Sequence, residues 1–214
     1  MAGIKNADGK SVLLKMAAAI QENKAYLSEV DGLIGDGDHG VNMNKGFTMF
    51  AERIQDDTLT FTEGLDTLGT LLFTEIGGSM GPIYGTLFMD MAGAGGDSDV
   101  IDTGTLAAML RAGLDGLYDV VEARPGDKTL VDTLVPALEA LEDAKDKGMD
   151  FTAALECMKA AAAEGRDATV DMVAKYGRSS RLGERSRGVL DAGAASCCIL
   201  LTAMAEGMQV LAEN

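Results

Sequence analysis

Three carboxylates, an imidazole and an amide fall within twelve residues, at Asp31, Asp36, Asp38, His39 and Asn42. Carboxylates this close repel one another unless a cation lies between them. Oxygen ligands suit hard divalent cations such as Mg²⁺, Mn²⁺ or Ca²⁺, and the four glycines of the segment let the backbone bring the side chains together. Segment 31–42 therefore predicts a metal site. A solvated acidic turn before a helix is the alternative that the residue types leave open.

Three better-known motifs resemble parts of this region but fail on residue type. Segment 35–40 matches the glycine spacing of a dinucleotide-binding turn, yet no buried strand precedes it and its two aspartates would repel a bare pyrophosphate. A calcium-binding EF-hand loop needs glutamate at its twelfth position, where Asn42 or Phe47 stands, depending on the register. Segment 40–46 has lysine and glycine in the wrong order for a P-loop.

The elements that must position these residues are predicted to be helices. The chain has only three prolines and long stretches of Ala, Leu, Met, Glu and Lys, and its apolar residues recur at helical spacing without sustained alternation. Glycine-rich breaks at 32–40, 77–81, 93–96, 126 and 183–188 divide these stretches. The pattern predicts an all-α, eight-helix antiparallel bundle with helices near 11–27, 42–55, 61–75, 83–93, 103–119, 129–146, 151–175 and 193–211.

Composition and charge favour a compact globular protein and argue against a nucleic-acid-binding or membrane protein. The 214 residues are 47% hydrophobic, which favours one compact domain over 1–214. A net charge of −16 opposes binding to nucleic acid, because such a surface repels phosphates. No uninterrupted apolar run approaches a membrane span and the start lacks a signal-peptide layout, so we expect a cytoplasmic protein without membrane contact. The three cysteines, at 157, 197 and 198, have no zinc or disulfide spacing and are expected to be buried apolar residues.

Four ordered motifs, which together span nearly the whole chain, carry a resemblance to a known family. They are Ile34-Gly-Asp-Gly-Asp-His-Gly-Val-Asn-Met-Asn44, Gly77-Gly-Ser-Met-Gly-Pro-Ile-Tyr-Gly85, Pro125-Gly-Asp-Lys-Thr129, and Gly177-Arg-Ser-Ser-Arg-Leu-Gly-Glu-Arg-Ser186 followed by Asp191-Ala-Gly193. In this order they resemble the L subunit of dihydroxyacetone kinase.

The resemblance implies an eight-helix antiparallel barrel that holds an adenine nucleotide and two Mg²⁺ ions at one end. By motif position, Asp31, Asp36 and Asp38 would be the metal ligands. Two Mg²⁺ ions would offset the three carboxylates and let anionic phosphates approach. His39, Gly40 and Asn42 would lie beside the nucleotide at a helix N-terminus, where free backbone N–H groups favour phosphate. A purely structural role for His39, orienting the acidic loop, stays open.

The remaining motifs imply further nucleotide contacts. Ser79 and Met80 lie in the second contacting segment, where family members commonly carry serine at the position of Met80; a turn without a ligand is the alternative. Arg178 is assigned to the phosphates as the catalytic residue, since a guanidinium can balance charge on the transferred group. A surface arginine is the alternative for Arg178. Leu130 would approach the base or belong to the core, and Asp191 and Gly193 form the third contacting turn.

The resemblance also implies a function. Bound ADP would act as a cofactor that a phosphoprotein donor subunit of the phosphoenolpyruvate-dependent system phosphorylates in place, before the phosphoryl group passes to dihydroxyacetone held on a separate K-type subunit. A subunit that uses exchangeable ATP directly, with dihydroxyacetone or another small ketose, is the enzymatic alternative. A non-catalytic nucleotide-binding regulatory module is the third possibility, and its mark would be lost carboxylates.

Overall fold

The computed structural model describes residues 3–96 and 98–213, and nine α-helices make up most of these residues. They are α1 (Lys10–Glu22), α2 (Lys24–Ile34), α3 (His39–Arg53), α4 (Phe61–Glu75), α5 (Met80–Gly95), α6 (Thr103–Val120), α7 (Val131–Asp146), α8 (Phe151–Ala168) and α9 (Ala192–Ala212). Two short strands, β1 (Gly3–Lys5) and β2 (Val100–Asp102), pair antiparallel with Ile4 opposite Ile101. Short 3₁₀ helices lie at Asn6–Asp8, Thr169–Asp171 and Ser179–Ser186.

Eight of the helices in the described part of the chain close into a ring. The order is α1, α3, α4, α5, α6, α7, α8, α9 and back to α1, and α2 packs on α3 and α9. Short connections make neighbouring helices antiparallel. The predicted all-α, eight-helix antiparallel barrel is therefore confirmed.

One continuous apolar core fills the ring. Phe47, Phe50 and Phe61 are fully buried, and α9 is buried along most of its length. Cys197 and Cys198 are buried as predicted, whereas Cys157 is half-buried. Each fully buried large apolar side chain contributes about 1.5–3 kcal/mol, which makes this core the main source of stability.

Helix α9 would be long and apolar enough to cross a membrane if judged by length and composition alone. In the described residues, however, 67% of its most apolar window is buried. Its apolar character is therefore explained by its packing within the barrel.

Several predicted boundaries are wrong for local reasons. The helix predicted over 11–27 is divided at Asn23, whose side-chain Nδ2 and backbone N–H both donate to the Ala19 carbonyl and so close the last turn of α1. Helix α2 then continues through the break predicted at 32–40 as far as Ile34, and the helix predicted over 151–175 ends at Ala168. Helices α3 and α5 begin about one turn earlier than predicted, at His39 and Met80.

Candidate functional site

The N-terminal ends of α3, α5, α7 and α9 meet at one end of the barrel. His39 opens α3, and its Nε2 lies 2.8 Å from the Ser196 Oγ of α9. The hydroxyl of Tyr84 in α5 lies 2.7 Å from the same Ser196 oxygen. A Cβ on Gly193 would lie only 3.4 Å from the backbone nitrogen of Leu130, which precedes α7. Four helix N-termini therefore direct their positive dipole ends to one region, which favours an anion there.

The predicted carboxylates converge at the same end. Asp31 lies in the last turn of α2, and Asp36 and Asp38 lie in the loop before α3. One ligand oxygen from each of the three lies within 4.8 Å of the others. Gly35 makes this possible, because a Cβ there would lie 2.3 Å from an Asp31 carboxylate oxygen. We call Asp31, Asp36 and Asp38 the acid triad.

The Asp38 carboxylate is not used to cap its own helix. Asp102, Asp150 and Asp191 hold the N-cap positions of α6, α8 and α9, and each accepts a hydrogen bond from a backbone N–H of its helix. Asp38 holds the same position in α3 but makes no such bond. The His39 N–H instead donates to the Asp31 carboxylate, at 3.3 Å. Asp38 is thus left facing two other carboxylates.

The electrostatics of the acid triad follow from this arrangement. Partial burial raises the pKa of Asp38, and repulsion by Asp36 and Asp31 adds to the rise, while the Arg178 guanidinium opposes it. Arg178 forms an ion pair with the Asp36 carboxylate through Nη1. Arg178, the arginine predicted from its motif to be catalytic, therefore contacts the acid triad although it lies 142 positions after Asp36 in the sequence.

His39 is held by a buried hydrogen-bond network. Ser196 is fully buried and lies within hydrogen-bond distance of His39, Tyr84 and the Gly193 carbonyl. Burial lowers the pKa of His39, and the charge of Asp31 only partly opposes this, so the imidazole is neutral at pH 7. The imidazole thus contacts Ser196 of α9, while the backbone N–H of His39 contacts Asp31, so His39 lies beside the acid triad.

The other predicted site residues lie at this end with different exposures. Ser79 is exposed at the N-cap of α5, whereas the Met80 side chain is only 7% exposed and packs in the core. Gly40 is buried and Asn42 is half-buried in the first turn of α3. Leu130 is 6% exposed, so it belongs to the core while also touching the Gly193 turn.

Asp191 combines a structural and an electrostatic role at the start of α9. Its carboxylate accepts a hydrogen bond from the Ala194 N–H at 2.7 Å, and its own N–H donates to the Thr169 hydroxyl at 3.1 Å. Burial raises the pKa of Asp191 to about 6, although that hydrogen bond and the charge of Lys128 oppose the rise. The turn that contains Asp191 and Gly193 is thus fixed in place beside Leu130.

Sequence reasoning missed three residues that shape this end. Ser196 lies one helical turn after Gly193, so helical spacing from the Asp191–Gly193 motif is a signal that points to it. Tyr84 and Lys128 stand inside motifs quoted for the resemblance, but the sequence assigns them no contact. Their partners, Ser196 for Tyr84 and Thr169 and Val189 for Lys128, are distant in sequence and only the fold brings them together.

Comparisons with known proteins agree with this geometry. Residues 33–206 match the model of the DAK2 domain family. The chain is 37% identical to the ADP-binding subunit DhaL of the PEP-dependent dihydroxyacetone kinase of Escherichia coli, over 84% of this chain and 86% of that one. It is 38% identical to the corresponding subunit of dihydroxyacetone kinase 1 of Listeria innocua, over 86% of this chain and 88% of that one.

The fold has solved counterparts. The native dihydroxyacetone kinase of C. freundii superposes with a TM-score of 0.73 at 21% identity, over 96% of this chain and 36% of that one. The same kinase in complex with AMP-PNP and Mg²⁺ gives a TM-score of 0.69 at 22% identity, over 95% of this chain and 34% of that one. The chain thus spans about a third of that kinase and most of the length of the DhaL subunits. On the family match and these identities, the chain belongs to the DAK2 domain family.

Proposed function

We propose that this chain is the ADP- and Mg²⁺-carrying subunit of a phosphoenolpyruvate-dependent dihydroxyacetone kinase. The observation that carries the proposal is the convergence of Asp31, Asp36 and Asp38 within 4.8 Å, at the barrel end where four helix N-termini meet. A cluster of carboxylates suits a hard cation, and helix N-termini suit phosphate. The relatives at 37% and 38% identity are named as ADP-binding subunits of PEP-dependent kinases, which supports this substrate and cofactor class.

The donor set fits Mg²⁺. All three groups offer carboxylate oxygens, and the Asp38 carboxylate is not engaged in capping α3. We assign Asp31, Asp36 and Asp38 as the ligands of two Mg²⁺ ions, because three negative charges on so small a region need more than one divalent ion before a diphosphate can approach. When bound, Mg²⁺ neutralises phosphate oxygens and aligns them. Since Arg178 already pairs with Asp36, metal binding is expected to release the guanidinium toward the phosphates.

The helix N-termini support a proposed position for the nucleotide. The phosphates are proposed to face the first turn of α3 and the start of α5, and the base the turn between Leu130 and Gly193. The proposed contacts are His39, Gly40, Asn42, Ser79, Met80, Leu130, Arg178, Asp191 and Gly193. Because the Met80 side chain is buried, its contact is proposed through the backbone at the start of α5.

The chemistry needs no nucleophile from this chain. In-line phosphoryl transfer depends on alignment and on neutralising charge, both of which the acid triad and Arg178 serve. His39 is held neutral against Ser196, so we assign it to orienting the start of α3 and donating or accepting a hydrogen bond at the nucleotide. Arg178 is the proposed catalytic residue, since its guanidinium can follow charge as it develops on the transferred group.

The remaining parts of the reaction are proposed to lie on partners. A K-type subunit would hold dihydroxyacetone, and a phosphoprotein would rephosphorylate ADP in place, all in the cytoplasm. The relatives are named as subunits of a kinase, which supports partners of this general kind.

The proposal is tested by nucleotide analysis and titration. Denaturing the purified protein should release ADP in near-stoichiometric amount, and titration of the stripped chain should show ADP binding that requires Mg²⁺. With the dihydroxyacetone-binding partner present, phosphoenolpyruvate and its phosphocarrier proteins should support turnover. Turnover with ATP alone would replace the phosphoprotein donor by ATP, and absence of Mg²⁺-dependent nucleotide binding would overturn the proposal.

A further inference from the structure

Lys128 is a buried lysine at a position where lysine is unusual. It is 1% exposed, and it is the one non-glycine residue in the described part of the chain with a backbone φ in the left-handed region, at +62°. Burial lowers its pKa, whereas the charges of Asp191 and Asp132 favour the ammonium form. A buried ammonium group and a left-handed lysine both cost free energy, so the contacts of this side chain require an explanation.

The Lys128 ammonium joins the two ends of one long connection. It donates to the carbonyl of Thr169 and, at 2.5 Å, to the carbonyl of Val189. These residues flank residues 170–188, which we call the arginine arm because it carries Arg178, Arg181, Arg185 and Arg187. At the same neck, the Gly188 N–H donates to the Val170 carbonyl at 2.7 Å.

The residue before Lys128 holds the outer part of the arm. The Asp127 carboxylate lies 2.5 Å from the Lys175 ammonium, and the Asp127 carbonyl accepts the Lys175 N–H at 3.2 Å. Consecutive residues of one turn thus fix the arm at its neck and again three residues before Arg178. The left-handed backbone at Lys128 follows from this, since two neighbouring side chains must reach different parts of the same arm.

The arm needs such support because its internal hydrogen bonds, such as that from the Ala174 N–H to the Ser186 hydroxyl at 2.9 Å, join arm residues to one another and do not attach them to the acid triad. Its 3₁₀ helix is interrupted at Gly183, and the Arg178 side chain is 62% exposed. Among the described residues, the Arg178–Asp36 ion pair is the one salt bridge between the arm and the acid triad. An exposed ion pair is worth little by itself, so it cannot order nineteen residues.

We infer that Lys128 is a positioning residue that fastens the neck of the arginine arm and thereby places Arg178 at the acid triad. The inference rests on the role proposed for Arg178, but the fastening itself can be measured without nucleotide. The Lys128 ammonium acts through two backbone carbonyls and touches no reacting atom.

Hydrogen exchange of the metal-free, nucleotide-free chain tests the fastening. In Lys128→Met, which keeps the length of the side chain but removes its donors, the amides of Lys175 and Gly188 should exchange about tenfold faster or more, while α3 to α5 keep their protection. Limited trypsin digestion should cut the arm at its arginines sooner. Lys147→Met is the matched control, because Lys147 forms an exposed pair with Asp143 at the far end of the barrel.

A thermodynamic cycle with Arg178 separates positioning from simple destabilisation. Lys128→Met and Arg178→Met should each weaken Mg²⁺-dependent ADP binding, and the double variant should bind no more weakly than Arg178→Met alone. Additive losses, or unchanged exchange of the arm in Lys128→Met, would overturn the inference. If Lys128→Met does not fold, Lys175→Met is the second test. Lys175 is exposed, and its loss removes only the contact between Asp127 and the outer part of the arm. An unchanged exchange rate of the amide at position 175 would then count against fastening of the arm by the turn that contains Asp127 and Lys128.

The two proposals fail differently. If the wild-type chain binds no ADP with Mg²⁺, the proposed function is lost while the exchange result stands. If ADP binds normally but the arm is insensitive to Lys128 and Lys175, only the fastening is lost.

Discussion

At the scale of single residues, Asp38 differs from the other aspartates at helix N-caps. Three other aspartates at helix N-caps accept hydrogen bonds from their own helices, whereas Asp38 makes no capping bond and faces Asp31 and Asp36 instead. Its raised pKa, caused first by partial burial and then by Asp36 and Asp31, indicates that the metal-free acid triad is electrostatically unfavourable. Removing one charge should therefore cost binding without costing stability.

We expect Asp38→Asn to weaken Mg²⁺-dependent ADP binding by at least 10- to 100-fold, the scale on which metal sites respond to lost partners. The thermal midpoint of the metal-free chain should stay the same or rise, because like-charge repulsion is relieved. Calorimetric titration measures the first effect and thermal unfolding the second. Asp56→Asn, an exposed aspartate in the loop between α3 and α4, is the control and should change neither. A variant that binds as tightly as wild type would remove Asp38 from the ligand set.

Ser196 is the second residue on which the site depends. We expect Ser196→Ala to lower the free energy of unfolding by about 1–3 kcal/mol, because His39 loses its buried partner and Tyr84 keeps only the Gly193 carbonyl at 3.3 Å. Denaturant unfolding measures this, and nitrogen chemical shifts of His39 should change because its hydrogen bond is lost. The exposed Ser11 provides a matched Ser→Ala control that should cost less than about 0.5 kcal/mol. Equal effects of the two variants would contradict the network.

Residues close in sequence could be predicted as a site, and residues joined only by the fold could not. The acid triad could be predicted as a site because all three carboxylates lie within eight consecutive positions. Ser196 and Lys128 each depend on partners more than forty positions away, at His39 and at Thr169 respectively. Their roles require knowing which helix ends meet.

At the scale of elements, one carboxyl group at the start of α9, that of Asp191, both caps the helix and has a raised pKa. The Asp191 carboxylate caps α9, yet burial raises its pKa from 3.8 to about 6. The Asp191 carboxyl group therefore binds its proton more tightly in the folded chain than in the unfolded chain. The stabilisation from the protonated carboxyl is present below about pH 4 and is lost as the pH rises through 6.

We therefore expect Asp191→Asn, which preserves a capping side chain, to gain stability relative to wild type between pH 4 and pH 7. The difference between 3.8 and about 6 corresponds to a relative change of roughly 3 kcal/mol across this interval. Denaturant unfolding at several pH values in the absence of nucleotide gives the measurement. Asp102→Asn at the cap of α6 is the matched control for the loss of a capping carboxylate. A pH-independent difference for Asp191→Asn would mean that the carboxylate is not buried as described.

Element boundaries were predictable where periodicity and end signals agree, as in α4, predicted at 61–75 and observed at Phe61–Glu75. They were not predictable where glycine serves packing. Gly40 and Gly81 suggested breaks, but a Cβ would lie 2.2 Å from the Lys24 carbonyl oxygen and 2.1 Å from the Ile76 carbonyl oxygen respectively. Both glycines therefore sit inside helices that approach neighbouring backbone closely.

At the scale of the whole molecule, the ring of helices puts every site residue at one end. An even number of antiparallel helices brings alternate N-termini together, so the helix count and the short connections together imply a common end for the motifs. The closing contacts of α1 with α3 and α9 are not visible in periodicity, because apolar faces do not specify their partners. The single domain over 1–214 stays a prediction: the family match covers 33–206, and Met1, Ala2, Asp97 and Asn214 lie outside the described residues.

The charge distribution suggests how partners approach. The chain has a net charge of −16, yet five of its 18 basic residues, Lys175 and four arginines, lie in the arginine arm beside the acid triad. Arg181 and Arg185 are exposed there. A local basic patch on an acidic molecule favours approach of a phosphorylated or acidic protein to this end, and such attraction weakens with salt.

Our last prediction is that this chain alone phosphorylates no free dihydroxyacetone, whether supplied with ATP or with a phosphoprotein donor. It matches 86% and 88% of the length of the ADP-binding subunits but 36% of the C. freundii kinase chain, most of which lies outside the matched region. The chain's one histidine, His39, is hydrogen-bonded to Ser196 beside the acid triad, so no second imidazole is present to bind the ketose.

Addition of a dihydroxyacetone-binding partner should produce turnover, measured as phosphorylated ketose by a coupled assay. Turnover should fall as salt rises if the arginine arm guides docking. Arg181→Ser tests that contribution, with Arg53→Ser at the end of α3 as a charge-matched control away from the arm. Arg181→Ser should raise the KM for the partner and leave kcat unchanged, because Arg181 is proposed to act in encounter and not in transfer. Robust turnover by the rigorously purified chain alone would instead place ketose binding within this chain.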